Sequence, residues 1–430
     1  MDLIDELTWR GLLYDATEGT AEHLGERAEQ GRPVSGYIGF DPSAPTLHIG
    51  SLVPVMLLVH LQRAGHIPVA LVGGGTGLIG DPSGKEDERL LLDREEAEAN
   101  AAGIRGQLER FLDFSPGPTA ARVRNNLEWL DEVRLVDFLR DVGKHFSVNA
   151  MIRKESVRRR LERDEAGISY AEFSYMLLQA YDYLVLHDQE GCTLQMGGSD
   201  QWGNITAGID LVRRARGESA HGIVAPLVTA TSGVKFGKTE AGAVWLDAVR
   251  TSPYRFYQFW LNTEDADAPT YLRFFTLKDH AEIAELDRGV TERPQERAAQ
   301  RALAEDVTLR VHGPQGLERA RRATEVLFGG SLDGLAGADI EDIFADVPSS
   351  AVASDRLAGE GLGMVEALAD AGVLKSRGEA RRALQQGAIY LNNRRVEEAD
   401  RRLRAADALD GRFLVLRHGK KRYHLVRVTQ

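Results

Sequence analysis

The sequence predicts an α/β protein whose largest domain holds a mostly parallel β-sheet. Two apolar runs, residues 36–40 and 67–72, each lead into a turn rich in proline or glycine and then into a helical pattern. Two later strands, at 192–196 and 222–228, flank a helix predicted over residues 201–216. A strand, a loop and a helix repeated in this order are typical of parallel strands with crossover helices. Such sheets bind ligands at the carboxyl ends of their strands, so the loops after these runs are candidate binding sites.

Length and composition are those of a globular protein with two or three domains. The chain has 430 residues, of which 43% are hydrophobic and 27% charged, and this excludes a disordered or fibrous protein. Its longest apolar run, residues 52–61, is too short to span a bilayer, so no membrane partner is expected. The single cysteine, Cys192, excludes an intrachain disulfide and suits a reducing compartment. We therefore expect a buried thiol and a cytoplasmic protein.

Composition divides the chain after the sheet domain, which we expect over residues 1–230. Residues 231–330 carry mostly helical patterns and predict a second, helical domain. Residues 331–360 hold seven acids and one arginine with little apolar periodicity, which predicts a linker. The net charge of the chain is −12, but residues 361–430 carry 15 Lys and Arg against 8 Asp and Glu. This basic tail predicts an RNA-binding domain.

One helix of the tail is the candidate RNA-binding element. Ser376 and Glu379 have the spacing of a capping box and predict where the helix starts. The helix displays Arg377, Arg381 and Arg382 on one broad side, which we call the arginine face. This face could follow an RNA phosphate backbone, and a merely solvated charged helix is the alternative.

The turn between the first strand and an apolar helix carries the first chemical motif. It ends in His48-Ile-Gly50, directly before the apolar helix. Backbone N–H groups at a helix start bind phosphate, Gly50 would let a nucleotide approach the backbone, and His48 could donate a hydrogen bond to phosphate oxygens. A histidine that only caps the helix is the alternative, because an isolated His-x-Gly is a weak signal.

A second motif is the loop Lys235-Phe-Gly-Lys-Thr239. It places two lysines, Lys235 and Lys238, three residues apart on a glycine-containing loop. Such a loop suits a cationic clamp that closes over a triphosphate in the transition state. A solvated loop gives the same pattern.

The glycine-rich stretch over residues 73–85 is the third element. It is not a P-loop, because Lys85 is not followed by Ser or Thr, and its spacing does not fit a dinucleotide-binding fingerprint. Nicotinamide-binding and NTPase functions are therefore disfavoured. Its position after a strand places Thr76 and Asp81 beside the expected pocket, with Lys85 and Arg89 available for leaving-group phosphates.

Polar residues also mark a helix predicted over 171–186. Tyr175, Gln179 and Asp182 lie at i, i+4 and i+7, so they form a stripe on an otherwise apolar helix. Buried polar side chains are costly unless paired, so they bind either a ligand or their own protein. After the next strand, Gly198 and Asp200 could receive a ribose through backbone groups and a carboxylate.

Taken in order, these segments resemble the bacterial tyrosyl-tRNA synthetases, which are class I aminoacyl-tRNA synthetases, and the resemblance covers almost the whole chain. It implies a Rossmann-type catalytic domain with a dimerising insertion, a helical anticodon-side domain and a C-terminal alpha-L RNA-binding domain. The reaction implied is activation of L-tyrosine by ATP, followed by transfer to tRNA(Tyr). ATP is then a substrate, Mg²⁺ would travel with it, no dedicated metal site is expected, and the protein would be a homodimer.

The resemblance also assigns residues to roles. Tyrosine would contact Tyr37, Thr76, Asp81, Tyr175, Gln179, Asp182, Gln195 and Gln201. ATP would contact Gly39, Asp41, His48, Gly50, Ser51, Gly198, Asp200 and Lys238. The triphosphate would be surrounded by the catalytic residues Ser43, His48, Lys85, Arg89, Lys235, Lys238 and Thr239.

The chain departs from the family pattern at two positions of the first motif. Ser51 stands where the family usually has histidine, and Ile38 replaces a residue that is often cysteine. We therefore expect altered contacts to the nucleotide sugar. The second motif agrees with the tyrosine-specific form.

Two other functions are compatible with parts of the pattern. The sister enzyme for tryptophan would share the fold and both motifs, but Tyr37 and Asp182 argue against it because an indole has no phenol hydroxyl to bind. A non-catalytic RNA-binding protein on the same scaffold would not need His48, Lys235 and Lys238.

Overall fold

The computed structural model describes most of the chain. The described residues are 2–81, 94–154, 157–158, 161, 168–231, 236–239, 242–345, 347–398, 400–419 and 422–429. The chain forms two compact units, of which the first holds residues 1–250 and 261–311 and the second holds residues 251–260 and 312–430. Among the described helices, none has both the length and the apolar character needed to cross a membrane.

A six-stranded sheet is the centre of the first unit. Its strands are β1 (Asp15–Ala16), β2 (Ser35–Phe40), β3 (Ile67–Val72), β4 (Arg122–Asn125), β5 (Cys192–Gly198) and β6 (His221–Ala225). They lie in the order β1-β6-β5-β2-β3-β4, with β1 antiparallel to β6 and the other neighbours parallel. The four strands predicted from the apolar runs are β2, β3, β5 and β6, and the predicted parallel α/β fold is confirmed. A short hairpin follows in the chain, formed by β7 (Lys238–Thr239) and β8 (Gly242–Ala243).

The helices described in the first 330 residues include those predicted at 52–61, 171–186 and 201–216. They are α1 (Leu3–Arg10), α2 (Thr20–Glu29), α3 (Leu52–Arg63), α4 (Arg94–Leu108), α5 (Leu127–Leu130), α6 (Leu135–Asp141), α7 (Val148–Ile152), α8 (Tyr170–Glu190), α9 (Trp202–Arg216), α10 (Pro253–Leu261), α11 (Ala268–Phe275), α12 (His280–Glu292) and α13 (Ala298–Leu327). Helix α8 starts at a capping box formed by Ser169 and Glu172 and ends at Gly191, whose φ of 61° suits glycine. Helix α13 is interrupted at Gly313, whose φ of 72° and ψ of 179° are not helical.

The chain order of the strands creates a crevice. From β2 the chain runs outward to β3 and β4, whereas from β5 it runs in the other direction to β6. The adjacent strands β2 and β5 therefore lie at the point where the order reverses. Loops that leave the carboxyl ends of such a pair diverge and open a binding crevice between them.

The second unit contains a five-stranded sheet. Its further elements are α14 (Gly337–Ile343), β9 (Ser349–Ala353), β10 (Leu362–Gly363), α15 (Met364–Asp370), α16 (Arg377–Gln385), β11 (Ile389–Leu391), β12 (Arg394–Arg395), β13 (Arg402–Leu403), β14 (Phe413–His418) and β15 (Arg422–Thr429). The sheet order is β12-β11-β14-β15-β9. Both faces of β14 are buried: Leu414 and Leu416 pack with α15 and α16, whereas Phe413 and Val415 pack with α14 and the end of α13.

The acidic segment is not the linker that its composition predicts. Part of residues 331–360 forms α14 and the edge strand β9, and β9 pairs in parallel with β15. Ile340 and Phe344 are buried in the core of this unit. Composition failed here because the few apolar residues of the segment pack with a strand more than 70 residues away, and local periodicity cannot reveal such a contact.

The predicted boundary at residue 230 also differs from the compact units. Residues 261–311, which the sequence assigns to a separate helical domain, belong to the first unit together with the sheet. Helix α11 explains part of this grouping. Its Tyr271 and Phe275 form ring contacts with Phe236, which follows the second motif's first lysine, at centroid distances of 5.1 and 5.4 Å.

Candidate active site

A cavity of about 700 Å³ lies at the crevice of the first unit. Its wall comes from the ends of β2 and β5, the loop after β3 and one side of α8. The predicted residues found in this wall are Tyr37, Gly39, Asp41, His48, Gly50, Thr76, Asp81, Tyr175, Gln179, Asp182, Gln195, Gly198, Asp200 and Gln201. The fold thus gathers all eight residues predicted for tyrosine and six of the eight predicted for ATP at one place.

The remaining predicted residues are not among those described in this wall. Ser43 is exposed in the turn, and Ser51 is half-buried in a 3-10 turn that presents Gly50 to the cavity instead. For Lys238 and Thr239 the structure describes the backbone of β7. Outside the described residues lie Lys85, Arg89 and Lys235.

One end of the cavity carries the buried carboxyl group of Asp182. The side chain is 2% exposed, and its oxygens accept hydrogen bonds from Asn126 Nδ2 at 2.9 Å and Trp129 Nε1 at 2.7 Å. Burial raises the pKa of Asp182 to about 7, although the two hydrogen bonds act to lower it. Each oxygen keeps lone-pair capacity, so the carboxylate can accept a further hydrogen bond from a ligand.

The hydroxyl group of Tyr37 lies at the same end and is unpaired. It is buried and has no hydrogen-bond partner among the described residues, while the Tyr37 ring packs edge-on against Tyr183 at 5.2 Å. Burial, and then the Asp182 carboxylate, raises the pKa of Tyr37 well above its usual value, so the hydroxyl keeps its proton. A buried unpaired hydroxyl costs about 1–3 kcal/mol, and a polar ligand in the cavity would remove that cost.

Asn126 connects this end to the loop after β3. Its Oδ1 accepts from the Gly75 backbone N–H at 2.8 Å, and its Nδ2 donates both to Asp182 and to Thr76 Oγ1 at 2.9 Å. Thr76 lines the cavity together with Tyr175 of α8. Thr76 therefore acts as a structural link in the cavity wall.

A chain of amides starts from the carboxylate of Asp81. Gln201 Nε2 donates to Asp81 Oδ2 at 2.8 Å, and Gln201 Oε1 accepts from Gln179 Nε2 at 3.2 Å. Asn204 Nδ2 donates to Gln179 Oε1 at 3.0 Å and to Gln201 Oε1 at 3.2 Å. The network presents a carboxylate and amide oxygens to the cavity, which are the groups that bind an ammonium ion.

Two more polar groups complete this part of the wall. Gln195 Oε1, in the middle of β5, is buried without a hydrogen-bond partner among the described residues. The pKa of Tyr175 is raised well above its usual value by burial and then by Asp41 and Asp81. Tyr175 therefore stays a neutral hydroxyl beside two carboxylates, and Gln195 offers an unused acceptor.

The other end of the cavity is formed by the first motif. His48 is exposed at the start of the 3-10 turn, and its Nδ1 accepts from the Gly50 backbone N–H at 3.0 Å. A neutral imidazole whose Nδ1 accepts carries its proton on Nε2, so His48 can donate to an anion through Nε2. A Cβ atom on residue 50 would lie 2.8 Å from His48 Cε1, so glycine is needed for this arrangement.

Residues after the second motif hold the first motif in place. The strap, residues 244–246, pairs with residues 47–49: Ile49 N–H donates to the Val244 carbonyl at 2.9 Å and Leu246 N–H to the Leu47 carbonyl at 2.9 Å. A Cβ on Gly237, whose φ is 79°, would meet Ile49 Cγ2 at 2.5 Å. The two motifs, far apart in sequence, are therefore joined directly through backbone contacts.

Two glycines leave room for a flat ligand beside the strand ends. Gly39 is exposed although its strand neighbours are buried, and an added Cβ would meet nothing within 4 Å. At Gly198 an added Cβ would lie 2.5 Å from Asp200 Oδ1, so the carboxylate closely approaches the backbone there. This arrangement suits a nucleoside whose ribose hydroxyls meet Asp200 and backbone groups.

Comparison with known proteins decides the family. Residues 29–329 match the family described as tRNA synthetases class I (W and Y), and residues 339–426 match the tyrosine–tRNA ligase SYY-like C-terminal domain. A tyrosine–tRNA ligase of Roseiflexus castenholzii is 54% identical over 427 residues, which is 99% of this chain and 99% of the relative. That of Bacillus caldotenax is 51% identical over 99% of this chain and 100% of the relative.

The chain belongs to the tyrosine–tRNA ligase family. A solved structure, a C-terminally truncated mitochondrial tyrosyl-tRNA synthetase of Aspergillus nidulans, superposes with a TM-score of 0.67 at 29% identity. The superposition covers 76% of this chain and 94% of that chain. The resemblance read from the motifs is confirmed.

Sequence reasoning missed three buried polar residues of the site. Asn126 and Trp129 hold Asp182, and Asn204 holds the two glutamine amides. Asn126 directly follows β4, so a polar residue after a short strand was an available signal. Trp129 and Asn204 gave none, because each lies on a helix among apolar neighbours and acts on a residue distant in sequence.

The arginine face lies on α16 in the second unit. Ser376 accepts from the Glu379 backbone N–H at 3.2 Å, so the helix starts where the capping box predicts. All three arginines of the face are exposed, whereas Ala380, Ala383 and Leu384 on the opposite side are buried. The helix therefore presents a positive surface to the solvent.

Proposed function

We propose that this protein activates L-tyrosine with ATP to form tyrosyl-adenylate and transfers the tyrosyl group to the 3′ end of tRNA(Tyr). The observation that carries the substrate assignment is the unpaired, buried hydroxyl of Tyr37 beside the Asp182 carboxyl group. The named relatives, about half identical over their full length, are tyrosine–tRNA ligases, which favours tyrosine over tryptophan.

The substrate phenol is proposed to bind between Tyr37 and Asp182. A phenol hydroxyl both donates and accepts, so it can donate to Asp182 and accept from Tyr37. Phenylalanine would leave the buried Tyr37 hydroxyl unpaired and would not donate to Asp182, so it would make neither of these hydrogen bonds. An indole N–H could satisfy Asp182 alone, because it accepts no hydrogen bond from Tyr37.

The substrate ammonium group is proposed to bind Asp81, Tyr175 and Gln179. These groups offer a carboxylate, a neutral hydroxyl and an amide oxygen in one part of the wall. The unpaired oxygen of Gln195 and the amide of Gln201 are proposed to lie beside the substrate carboxylate and ring. Thr76 supports the site through its bond to Asn126.

Activation is proposed to proceed without a general base. The tyrosine carboxylate is ionised at neutral pH and attacks the α-phosphorus of ATP, while the bond from that phosphorus to the bridging oxygen breaks and pyrophosphate leaves. His48 donates from Nε2 to phosphate oxygens as their charge grows, and Gly39, Gly198 and Asp200 hold the adenosine. A ribose hydroxyl of tRNA then attacks the tyrosyl carbonyl carbon, and AMP leaves.

Other parts of the ATP site stay predictions from the family resemblance. Asp41 and Gly50, which are among these predictions, line the cavity. Mg²⁺ is proposed to arrive with the triphosphate, with no protein ligand assigned. Ser51 replaces the usual histidine but lies outside the wall, so its effect on the sugar is expected to be indirect. The remaining assignments to the triphosphate concern Ser43, Lys85, Arg89, Lys235, Lys238 and Thr239.

The C-terminal part is proposed to bind tRNA through the arginine face. A chain cut near residue 330 would be a poor test, because Ala323 and Val326 share a buried core with Phe413 and Leu425. Charge removal on the exposed face leaves that core intact and is the cleaner experiment.

A homodimer is proposed from an apolar patch on the segment after β4. The patch is formed by Leu135, Leu139 and Tyr170, which line one apolar groove with Leu130, Phe138 and Leu177. Leu135 is 72% exposed and its neighbour in α6, Val136, is 73% exposed, while Val148 and Ile152 are exposed on α7. Large apolar side chains grouped in this way mark interaction sites.

The proposed dimer can be tested at Val136. Val136→Asp should shift the protein to monomers in analytical ultracentrifugation, and a monomeric parent protein would refute the proposed homodimer.

One assay tests the main proposal. Exchange of labelled pyrophosphate into ATP is measured with tyrosine, phenylalanine and tryptophan in turn, and we expect exchange that depends on tyrosine. The absence of tyrosine-dependent exchange would refute the proposed reaction, and equal exchange with tryptophan would refute the roles of Tyr37 and Asp182. A cytoplasmic location stays a prediction of the sequence.

A further inference from the structure

Asn204 lies just behind the cavity wall, in the first turn of α9. Its side chain is 5% exposed. The residue itself does not belong to the cavity wall, but both groups that it donates to, the oxygens of Gln179 and Gln201, do. Asn204 is therefore placed to control two substrate-facing amides without touching the substrate.

The polarity of the amide network follows from Asp81. An ionised carboxylate only accepts, so the Gln201 amide must turn its Nε2 toward Asp81, as observed at 2.8 Å. The Gln201 oxygen then faces the other way and receives Gln179 Nε2 at 3.2 Å. This leaves the Gln179 oxygen on the side of Asn204, whose NH₂ group has two hydrogens and serves both oxygens.

Reversal of the Gln179 amide is opposed from two sides. In the reversed orientation its NH₂ group would face the NH₂ group of Asn204, and its oxygen would face the oxygen of Gln201. Both contacts would be between like groups, so the network disfavours this orientation. With the observed orientation, the Gln179 oxygen keeps a second lone pair for a donor in the cavity.

We propose that Asn204 is a positioning residue for the α-ammonium group of the amino-acid substrate. It keeps the oxygen of the Gln179 amide turned to accept from the ammonium group, which has donors only. This inference rests on the proposed function, because it requires that Gln179 and Asp81 bind the substrate ammonium. It adds a residue that acts on the substrate through another side chain.

The test compares two ligands that differ only in the ammonium group. Binding of L-tyrosine and of 3-(4-hydroxyphenyl)propionate, which lacks the amino group, is measured without ATP on the full-length protein and on Asn204→Leu. Leucine has nearly the same size as asparagine, cannot donate, and leaves no room for a water molecule in its place. We expect roughly tenfold weaker binding of tyrosine, as for loss of one hydrogen bond to a charged group, and a change of less than about twofold for the analogue.

Two further variants control for folding and for solvent. In Asn204→Ala a water molecule can enter and donate to the amide oxygens, so we expect a smaller loss of tyrosine affinity than in the leucine variant. Thr206 lies on the same helix as Asn204, and Thr206→Val removes a hydroxyl that accepts a hydrogen bond from Lys154. Both ligands should bind to this variant as tightly as to the parent protein.

The outcomes separate this inference from the proposed function. An equal loss for both ligands, or an unchanged affinity for tyrosine, would overturn the role of Asn204. A raised KM for tyrosine with an unchanged KM for ATP in pyrophosphate exchange supports it. If the parent protein shows no tyrosine-dependent pyrophosphate exchange, the proposed function fails as well. If exchange is normal but Asn204→Leu loses affinity equally for both ligands, only the inference about Asn204 fails.

Discussion

Replacement of Tyr37 by phenylalanine should have opposite effects on stability and on substrate binding. Without ligand the Tyr37 hydroxyl is buried and unpaired, so its removal should leave the free energy of unfolding unchanged or raise it by roughly 1 kcal/mol. With tyrosine bound, the same change removes one hydrogen bond, worth about 0.5–1.5 kcal/mol, or roughly two- to thirteenfold in affinity. Discrimination against phenylalanine should fall by a similar factor, because the variant no longer makes a hydrogen bond that distinguishes tyrosine from phenylalanine.

Tyr183 provides a matched control for this prediction. Its ring lies against that of Tyr37, but its hydroxyl donates to the His221 carbonyl at 2.8 Å and accepts from the His221 N–H at 3.2 Å. Tyr183→Phe should therefore lower the free energy of unfolding by about 1–3 kcal/mol and leave the KM for tyrosine unchanged. Urea unfolding without ligand and pyrophosphate exchange measure the two quantities. If Tyr37→Phe destabilises the protein as much as Tyr183→Phe does, and the KM for tyrosine does not move, the reasoning is refuted.

Three further predictions concern other parts of the molecule. The pKa of Asp182 is raised to about 7 from 3.8, so the protonated carboxyl group stabilises the fold below about pH 4 and this stabilisation is lost as pH rises through 7. Urea unfolding midpoints should show this loss in the parent protein and not in Asp182→Asn. Gly50→Ala should push the His48 ring aside and lower kcat of pyrophosphate exchange about tenfold or more, with the KM for tyrosine unchanged; a normal kcat would contradict the contact. Changing the three arginines of the arginine face to glutamine should weaken tRNA binding and flatten its salt dependence while pyrophosphate exchange stays normal, and unchanged aminoacylation would remove the face from the mechanism.

Residues of the site could be predicted from the sequence where they directly follow a strand. Asp41 directly follows β2 and Gly198 ends β5, and parallel strands bring such ends to one edge of the sheet. The spacing of Tyr175, Gln179 and Asp182 placed all three on one side of a helix, and all three line the cavity. Local patterns were sufficient in these cases because the periodicity of each element fixes which side chains share a face.

The parts that escaped prediction depend on contacts between distant segments. The hydrogen bonds of Asn126 and Asn204 include those to Asp182 and Gln179, which lie 56 and 25 positions away, and no local pattern encodes such pairs. The acidic segment failed for the same reason, since β9 gains its partner from the last strand of the chain. Burial of a polar group is also invisible in sequence, and the raised pKa of Asp182 is a property of the assembled cavity.

The pairing of residues 47–49 with the strap has a consequence for synthesis of the protein. The strands and helices that bear Tyr37, Gln179, Asp182 and Gln195 are all made before residue 226, whereas the backbone bonds that hold Ile49 require residues 244–246. During translation, which adds about 5–20 residues per second, the amino-acid pocket can therefore form before the phosphate-facing turn is fixed. A ribosome-bound fragment that ends between these points would carry the residues proposed to bind tyrosine but would lack the backbone bonds that hold the first motif.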